Sequence, residues 1–221
     1  PSRLVGSEMC IRDSNNTEGT VSYTNLLCIP SSKPFDLFNP DRKSSLKLYI
    51  NRVFITDKCD NLIPAYLRFV KGIVDTQDID LNVSREMLQN NPAVAKISKS
   101  LVGKILRELK KIADKDKAKY IQFWNEFGQV LKEGLYEDLE RKDTLLELAR
   151  FSNNENDDLI SLEDYVNAMD KNQKDIYYIA ADTKSQALSS PHLEGFKSKG
   201  IKVLVMACLL YTSDAADDAN C

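Results

Sequence analysis

From Asn90 to Gly134 apolar residues recur every three or four positions through two successive segments, and nothing else in the chain limits its fold as strongly. Val94, Ile97, Leu101, Val102, Ile105, Leu109 and Ile112 form one stripe, while Lys96, Lys99, Lys104, Arg107, Lys110 and Lys111 fill the other faces, so the spacing predicts a long amphipathic helix. Asn90, Asn91 and Pro92 supply its cap and first turn. From Asp116 a second helix carries Tyr120, Phe123, Trp124, Phe127, Val130 and Leu131 on one side and is expected to stop at Gly134. Leu139 to Phe151 supplies a third, and Ser161 with Asp164 forms a capping box for a helix through Met169. Helices with such stripes must bury them against one another.

Strand-like segments lie on both sides of this helical block. Thr20 to Ile29 is β-branched and aromatic, and Leu46 to Ile55 alternates, with a shift near Arg52 and Val53, Phe54 and Ile55 buried or partly presented. Pro30, Pro34 and Pro40 between them forbid a continuous ladder and predict an extended loop. Pro64 is expected to open a helix through Val70 that Gly72 ends. Further on, Ile176 to Ala180 and Ile201 to Val205 read as strands flanking short helices at Thr183–Leu188 and Pro191–Lys197, a β-α-β unit with parallel pairing. The fold class is α/β (α+β).

Composition excludes several functions. The 221 residues carry a net charge of -3, which argues against a dominant nucleic-acid or anionic-membrane surface, and the helical lysines have no interleaved aromatics on which bases could stack. No window approaches the ~20 apolar residues of a bilayer span. Cys10, Cys28, Cys59, Cys208 and Cys221 have the spacing of neither a metal site nor a redox pair, and reduced cytoplasmic thiols are the simplest reading. The single histidine, His192, sits at a helix start and reads as structural rather than as ligand or base.

The chemistry points to Val74–Gln89. Val74, Ile79, Leu81 and Val83 can pin the backbone to a core, and Asp75, Asp78, Asn82 and Ser84 can satisfy loop amides, which leaves Arg85 to point outward. A guanidinium is permanently charged and forks onto phosphate or carboxylate oxygens. On residue chemistry alone the same arginine also fits a surface ion pair with Glu86 or a nearby aspartate. The chain has no G-x-x-x-x-G-K-[ST] loop and no magnesium-binding acid cluster, so a nucleotide would have to be held elsewhere.

The segment Asp75–Gln89, D-x-x-D-x-x-L-N-V-S-R-E-M-L-Q, resembles the catalytic loop in the middle domain of the ninety-kilodalton heat-shock chaperone family, most closely its bacterial branch. Pro34–Phe38, Leu46–Ile55, Phe123-Trp124 with Phe127-Gly128, Leu131–Gly134, Ser161–Tyr165 and Ser190–Glu194 resemble further blocks in family order. The resemblance implies a three-layer α/β sandwich subdomain at residues 15–114 with the catalytic loop, a helical connector at 115–170, and a smaller, truncated β-α-β subdomain at 171–205. It also implies an ATP-dependent chaperone of the stress response, cytoplasmic and homodimeric at full length, that binds unfolded or partly folded client proteins. ATP and Mg would be held mainly by a separate N-terminal domain and not by this segment, which alone should show no ATPase activity. By motif position Arg85 is the arginine lent to the γ-phosphate, Gln89 its polar partner, Asn82, Ser84 and Glu86 the loop support, and Phe54 a residue at the interface with the nucleotide domain. Residues 1–14 and 206–221 match none of these blocks and read as translated read-through rather than native chain, which would set Cys10, Cys208 and Cys221 aside. The alternative is a non-catalytic α/β protein-interaction module in which Arg85 makes only structural pairs.

Overall fold

The computed structural model describes residues 9–15, 21–39, 45–57, 59, 61–80, 88, 91–156, 158–171 and 173–207. The chain forms two compact units, Pro1–Leu145 and Leu146–Cys221.

The first unit is built on a five-stranded mixed sheet of β1 (Met9–Asn15), β2 (Tyr23–Ile29), β3 (Ser45–Ile50), β4 (Val53–Thr56) and β5 (Lys71–Thr76), in the order β1-β2-β5-β3-β4. β3 and β5 are parallel, and the other neighbours are antiparallel. The period-2 pattern explains the burial: Tyr23, Leu27 and Ile29 of β2 and Leu46, Leu48 and Ile50 of β3 point into the core. On the opposite face Leu26 and Ile73 are directly paired and partly exposed. β1 falls, except for Asn15, in residues 1–14, which read as read-through from the sequence, and it pairs with β2 from Met9↔Ile29 to Asn15↔Tyr23.

Three sequence expectations fail in this unit. Leu46 to Ile55 is a hairpin rather than one strand. Asn51 and Arg52 adopt left-handed φ angles of 50° and 67°, and the shift in the apolar pattern near Arg52 marks the turn. The helix expected from Pro64 to Val70 is a single 3-10 turn, Ala65–Leu67, and the buried Phe69 and Val70 follow it on the non-helical stretch that leads into β5. Gly72 does not end a helix either. It lies inside β5 at φ 151°, where a Cβ would stand 2.1 Å from the Leu26 carbonyl oxygen.

Two helices complete the unit: α1 (Pro92–Lys115) and α2 (Lys117–Glu137). Asn91 caps α1 as expected, its side chain accepting the Ala93 N–H at 2.8 Å, and Pro92 takes the first turn. The predicted stripe is buried except for Ile112, and Leu106 and Ala113 join it. The Tyr23 hydroxyl donates to Ser100 Oγ at 2.7 Å and ties the inner sheet face to α1. α2 runs three residues past Gly134, whose missing side chain leaves room for a ring: a Cβ there would meet Tyr66 Cγ and Cδ2 at 2.8 Å. Phe69 packs on Phe127 (centroids 4.9 Å apart) and Phe123 (5.5 Å), and Tyr120 extends the cluster to Trp124. Each such burial is worth about 2–3 kcal/mol in area terms.

Leu139–Arg141 is a 3-10 turn, and α3 (Lys142–Leu148) then stops short of the predicted Phe151. The Arg150 guanidinium takes up the carbonyls of Glu147, Leu148 and Ala149, and Phe151 bridges to Ile160. The second unit holds a three-stranded sheet, β6 (Ser152–Asn153), β7 (Tyr178–Ala181) and β8 (Leu204–Ala207), in the order β6-β8-β7. β7 and β8 are parallel, as the β-α-β pattern predicts. Between these strands run α4 (Leu162–Asn167), which carries the predicted capping box of Ser161 and Asp164, then α5 (Lys184–Leu188) and α6 (Glu194–Ser198). The buried Tyr165 hydroxyl donates to the Lys202 carbonyl at 2.7 Å and accepts the Tyr177 N–H at 3.0 Å.

Candidate functional site

Arg85, Gln89, Asn82, Ser84 and Glu86 lie outside the described residues. The frame on either side of them is defined. At the outgoing end Thr76 is fully buried, and its hydroxyl donates to the Ser22 carbonyl at 2.9 Å while accepting the Asp78 N–H at 3.3 Å. The Asp78 carboxylate in turn accepts the Ser22 N–H. These contacts bind the last residue of β5 to the segment entering β2, and Ile79, only 4% exposed, then plugs the core. At the returning end Leu88 is 2% exposed, its carbonyl accepts the Asn91 N–H at 3.4 Å, and α1 begins one residue later. The expected apolar pin at Ile79 is therefore present, and Leu88, which sequence reasoning did not single out as an anchor, matches it from the other side.

The β3–β4 hairpin tip adjoins the outgoing end. The Asn51 N–H donates to the Thr76 carbonyl and the Arg52 N–H to Asp75 Oδ1, both at 3.0 Å. Phe54 on β4 is 51% exposed and meets Tyr49 edge-on, with centroids 5.6 Å apart. On the edge strand it pairs with Tyr49, which alternates with the buried Leu48 and Ile50, so its ring lies on the face away from the core, and the adjacent Val53 is exposed as well.

A second polar centre joins residues far apart in sequence. The Tyr66 hydroxyl donates to Asp138 Oδ2 at 2.7 Å, and Arg141 Nη1 donates to the same oxygen at 2.7 Å. Burial and then the bond to Asp138 push the Tyr66 phenol far above its ordinary value. Burial alone would raise the Asp138 carboxyl, but the bonds from Tyr66 and Arg141 outweigh it and hold Asp138 low. Glu137 is raised, by burial first and then by the charge of Glu133. Nearby, Arg68 forks onto Glu133, with Nη2 to Oε1 at 2.8 Å, and its Nε donates to the Leu37 carbonyl at 2.9 Å. Leu37 is fully buried, so the turn from Pro34 to Asn39 is fixed from beneath while Phe35 is fully exposed and Phe38 partly so.

Among the described residues no cluster of histidine, cysteine or acidic side chains could hold a metal, and His192 is solvent-exposed in the 3-10 turn Pro191–Leu193. Neither Cys28 nor Cys59 is in a disulfide. No described helix is long and apolar enough to cross a membrane.

The α/β scaffold with its framed polar loop corresponds to a known class of domain. The sequence model of the Hsp90 protein family matches residues 8–211. The chain is 56% identical over 189 residues to the chaperone protein HtpG of Paramagnetospirillum magneticum, an alignment covering 86% of this chain and 30% of that protein. The HtpG of Ehrlichia ruminantium is 52% identical over 205 residues, 91% of this chain and 32% of its own length. In structure the chain is similar to the middle domain of a Plasmodium falciparum heat shock protein, with a TM-score of 0.76 at 30% identity, covering 90% of this chain and 77% of the other. The chain belongs to the Hsp90 family. It spans about a third of the length of the curated HtpG relatives it matches, and the matched region reaches past both Ser14 and Met206.

Proposed function

We propose that this chain is the middle segment of an ATP-dependent molecular chaperone and that its loop lends Arg85 to the γ-phosphate of ATP held by an N-terminal domain. The observation that carries this reading is the two-sided anchoring of the loop. Thr76 and Ile79 on one side and Leu88 with the Asn91 cap on the other fix the two ends between which Arg85 lies in sequence. A cation needs that anchoring to meet developing phosphate charge in a preorganised way. Gln89 is its polar partner, with Asn82, Ser84 and Glu86 shaping the loop and Phe54 at the domain interface. The nucleotide and its Mg bind elsewhere in the full-length protein. Clients have apolar contact points in Phe35 and Phe38, which a buried Leu37 and the Arg68–Glu133 pair hold outward. A cytoplasmic homodimer is the full-length form that this reading expects.

Arginines that meet transferring phosphate contribute about 10³ to 10⁵ in rate elsewhere, and domain closure makes a smaller effect the expectation here. In a full-length HtpG relative carrying this segment, Arg85→Ala should lower steady-state ATP turnover by about tenfold or more with little change in nucleotide affinity, and Arg85→Lys should restore it only partly because lysine lacks the planar fork. Circular dichroism checks the fold. Wild-type turnover in folded Arg85→Ala would make Arg85 an ordinary surface residue. The isolated chain should give no micromolar heat of binding with Mg-ATP in calorimetry.

A further inference from the structure

We propose that Arg52 is a positioning residue that docks an anionic group of the domain closing over the loop end of the sheet, an inference that rests on the Arg85 reading. Arg52 occupies the second position of a two-residue hairpin at φ 67°, directly after Asn51 at φ 50°. Asparagine tolerates this region, but the second position of such turns favours glycine, and an L-residue with a long side chain is strained there. Glycine would adopt this tip without that strain, so the arginine sits there at a conformational cost. It is exposed, and none of the ion pairs among the described residues uses its guanidinium.

The tip is nonetheless firmly placed. The Asn51 N–H is bonded to the Thr76 carbonyl and the Arg52 N–H to Asp75 Oδ1, so both backbone amides are fixed to the last two residues of β5, where the Arg85 loop departs. Asp75 spends one carboxylate oxygen on the backbone. The two residues that follow, Val53 and Phe54, are each about half exposed. A fixed cation beside an exposed apolar pair has the anatomy of an interface rim next to its core. A guanidinium in that place selects paired anionic oxygens, either a carboxylate on the closing domain or a phosphate of its nucleotide. The half-exposed Val53 and Phe54 beside it favour the carboxylate, since a protein surface would cover them and a nucleotide phosphate would not.

The test uses the same full-length HtpG relative carrying this segment. Arg52→Gly should leave its melting temperature unchanged or higher, because strain is relieved. It should also lower turnover at saturating ATP about threefold at low ionic strength, with KM unchanged. The deficit should close at about 0.5 M salt, where exposed charges are screened. Arg52→Lys should retain much of the turnover and Arg52→Glu should lose more than glycine does. A shift in KM with turnover intact would assign the contact to nucleotide phosphate and overturn docking to a carboxylate. A lower melting temperature for Arg52→Gly, or wild-type turnover with Arg85→Ala still defective, would overturn the role of Arg52 while leaving Arg85 standing. Wild-type turnover in both variants would remove both assignments.

Discussion

The aromatic seam between α2 and the Tyr66–Val70 segment and the loop end of the sheet belong to one unit and are made in opposite ways. In the seam Phe69, Phe123 and Phe127 are almost fully buried, the last two on the regular backbone of α2. At the loop end the backbone is left-handed at Asn51 and Arg52, Phe54 and Val53 face solvent, and polar contacts such as Thr76 to Ser22 do the holding. The seam therefore carries stability, and the loop end uses a little of it to present side chains. Substitutions that separate these two contributions test the contrast.

The largest effect belongs to the seam. Phe127→Ala removes a ring packed on two others and should cost about 3–5 kcal/mol in urea unfolding, with the loss spread over the whole first unit. A cost under about 1 kcal/mol would mean that the seam does not hold the unit together. Tyr66→Phe comes next, at about 1–2 kcal/mol near neutral pH, because Asp138 keeps its burial and loses a donor. Its pH dependence has a definite sign. A carboxyl held low in the fold contributes stability above its unfolded value that is lost as pH falls through the folded one, so the gap between Tyr66→Phe and wild type should narrow below about pH 4. Glu137 is shifted the other way, and its raised carboxyl favours the fold as pH falls through the same region, which partly offsets the Asp138 loss in both proteins. A gap that is flat from pH 3 to pH 7 would contradict the assignment to Asp138. Phe54→Ala should give the smallest change in stability, about 1 kcal/mol or less, since half of the ring is already in water. A loss comparable with that of Phe127→Ala would place Phe54 in the core after all.

Much of the seam was legible in the sequence because helical periodicity and caps are local signals. The Asn91-Pro92 start, the Asp116 restart, the aromatic stripe of α2 and the Ser161–Asp164 box all appear where the spacing puts them. The errors arose where a distant partner decides. Gly134 reads as a stop until the Tyr66 ring is known to fill its space, and Gly72 reads as a helix end until the Leu26 carbonyl is known to pass 2.1 Å from where a Cβ would be. Tyr66 and Asp138 stand 72 residues apart, and no pattern links them. The hairpin tip carries neither glycine nor proline, so its turn was hidden inside an alternating run. At the candidate site the outgoing anchor, Ile79, was legible, but the buried Leu88 was not, because one apolar residue in a polar stretch has no period to reveal it.

The most direct test of the contrast is at Thr76, where the polar anchor can be removed without opening a cavity. In a full-length HtpG relative carrying this segment, Thr76→Val keeps the shape of the buried side chain but deletes its bonds to the Ser22 carbonyl and the Asp78 N–H. Turnover should be measured at saturating ATP, at a temperature where both proteins are fully folded. If the anchored loop end sets the geometry of Arg85, turnover falls about tenfold while nucleotide affinity holds and stability drops by only about 1–2 kcal/mol. Unchanged turnover in a protein destabilised by that amount would show that the frame around residues 81–87 serves the fold alone and does not position Arg85.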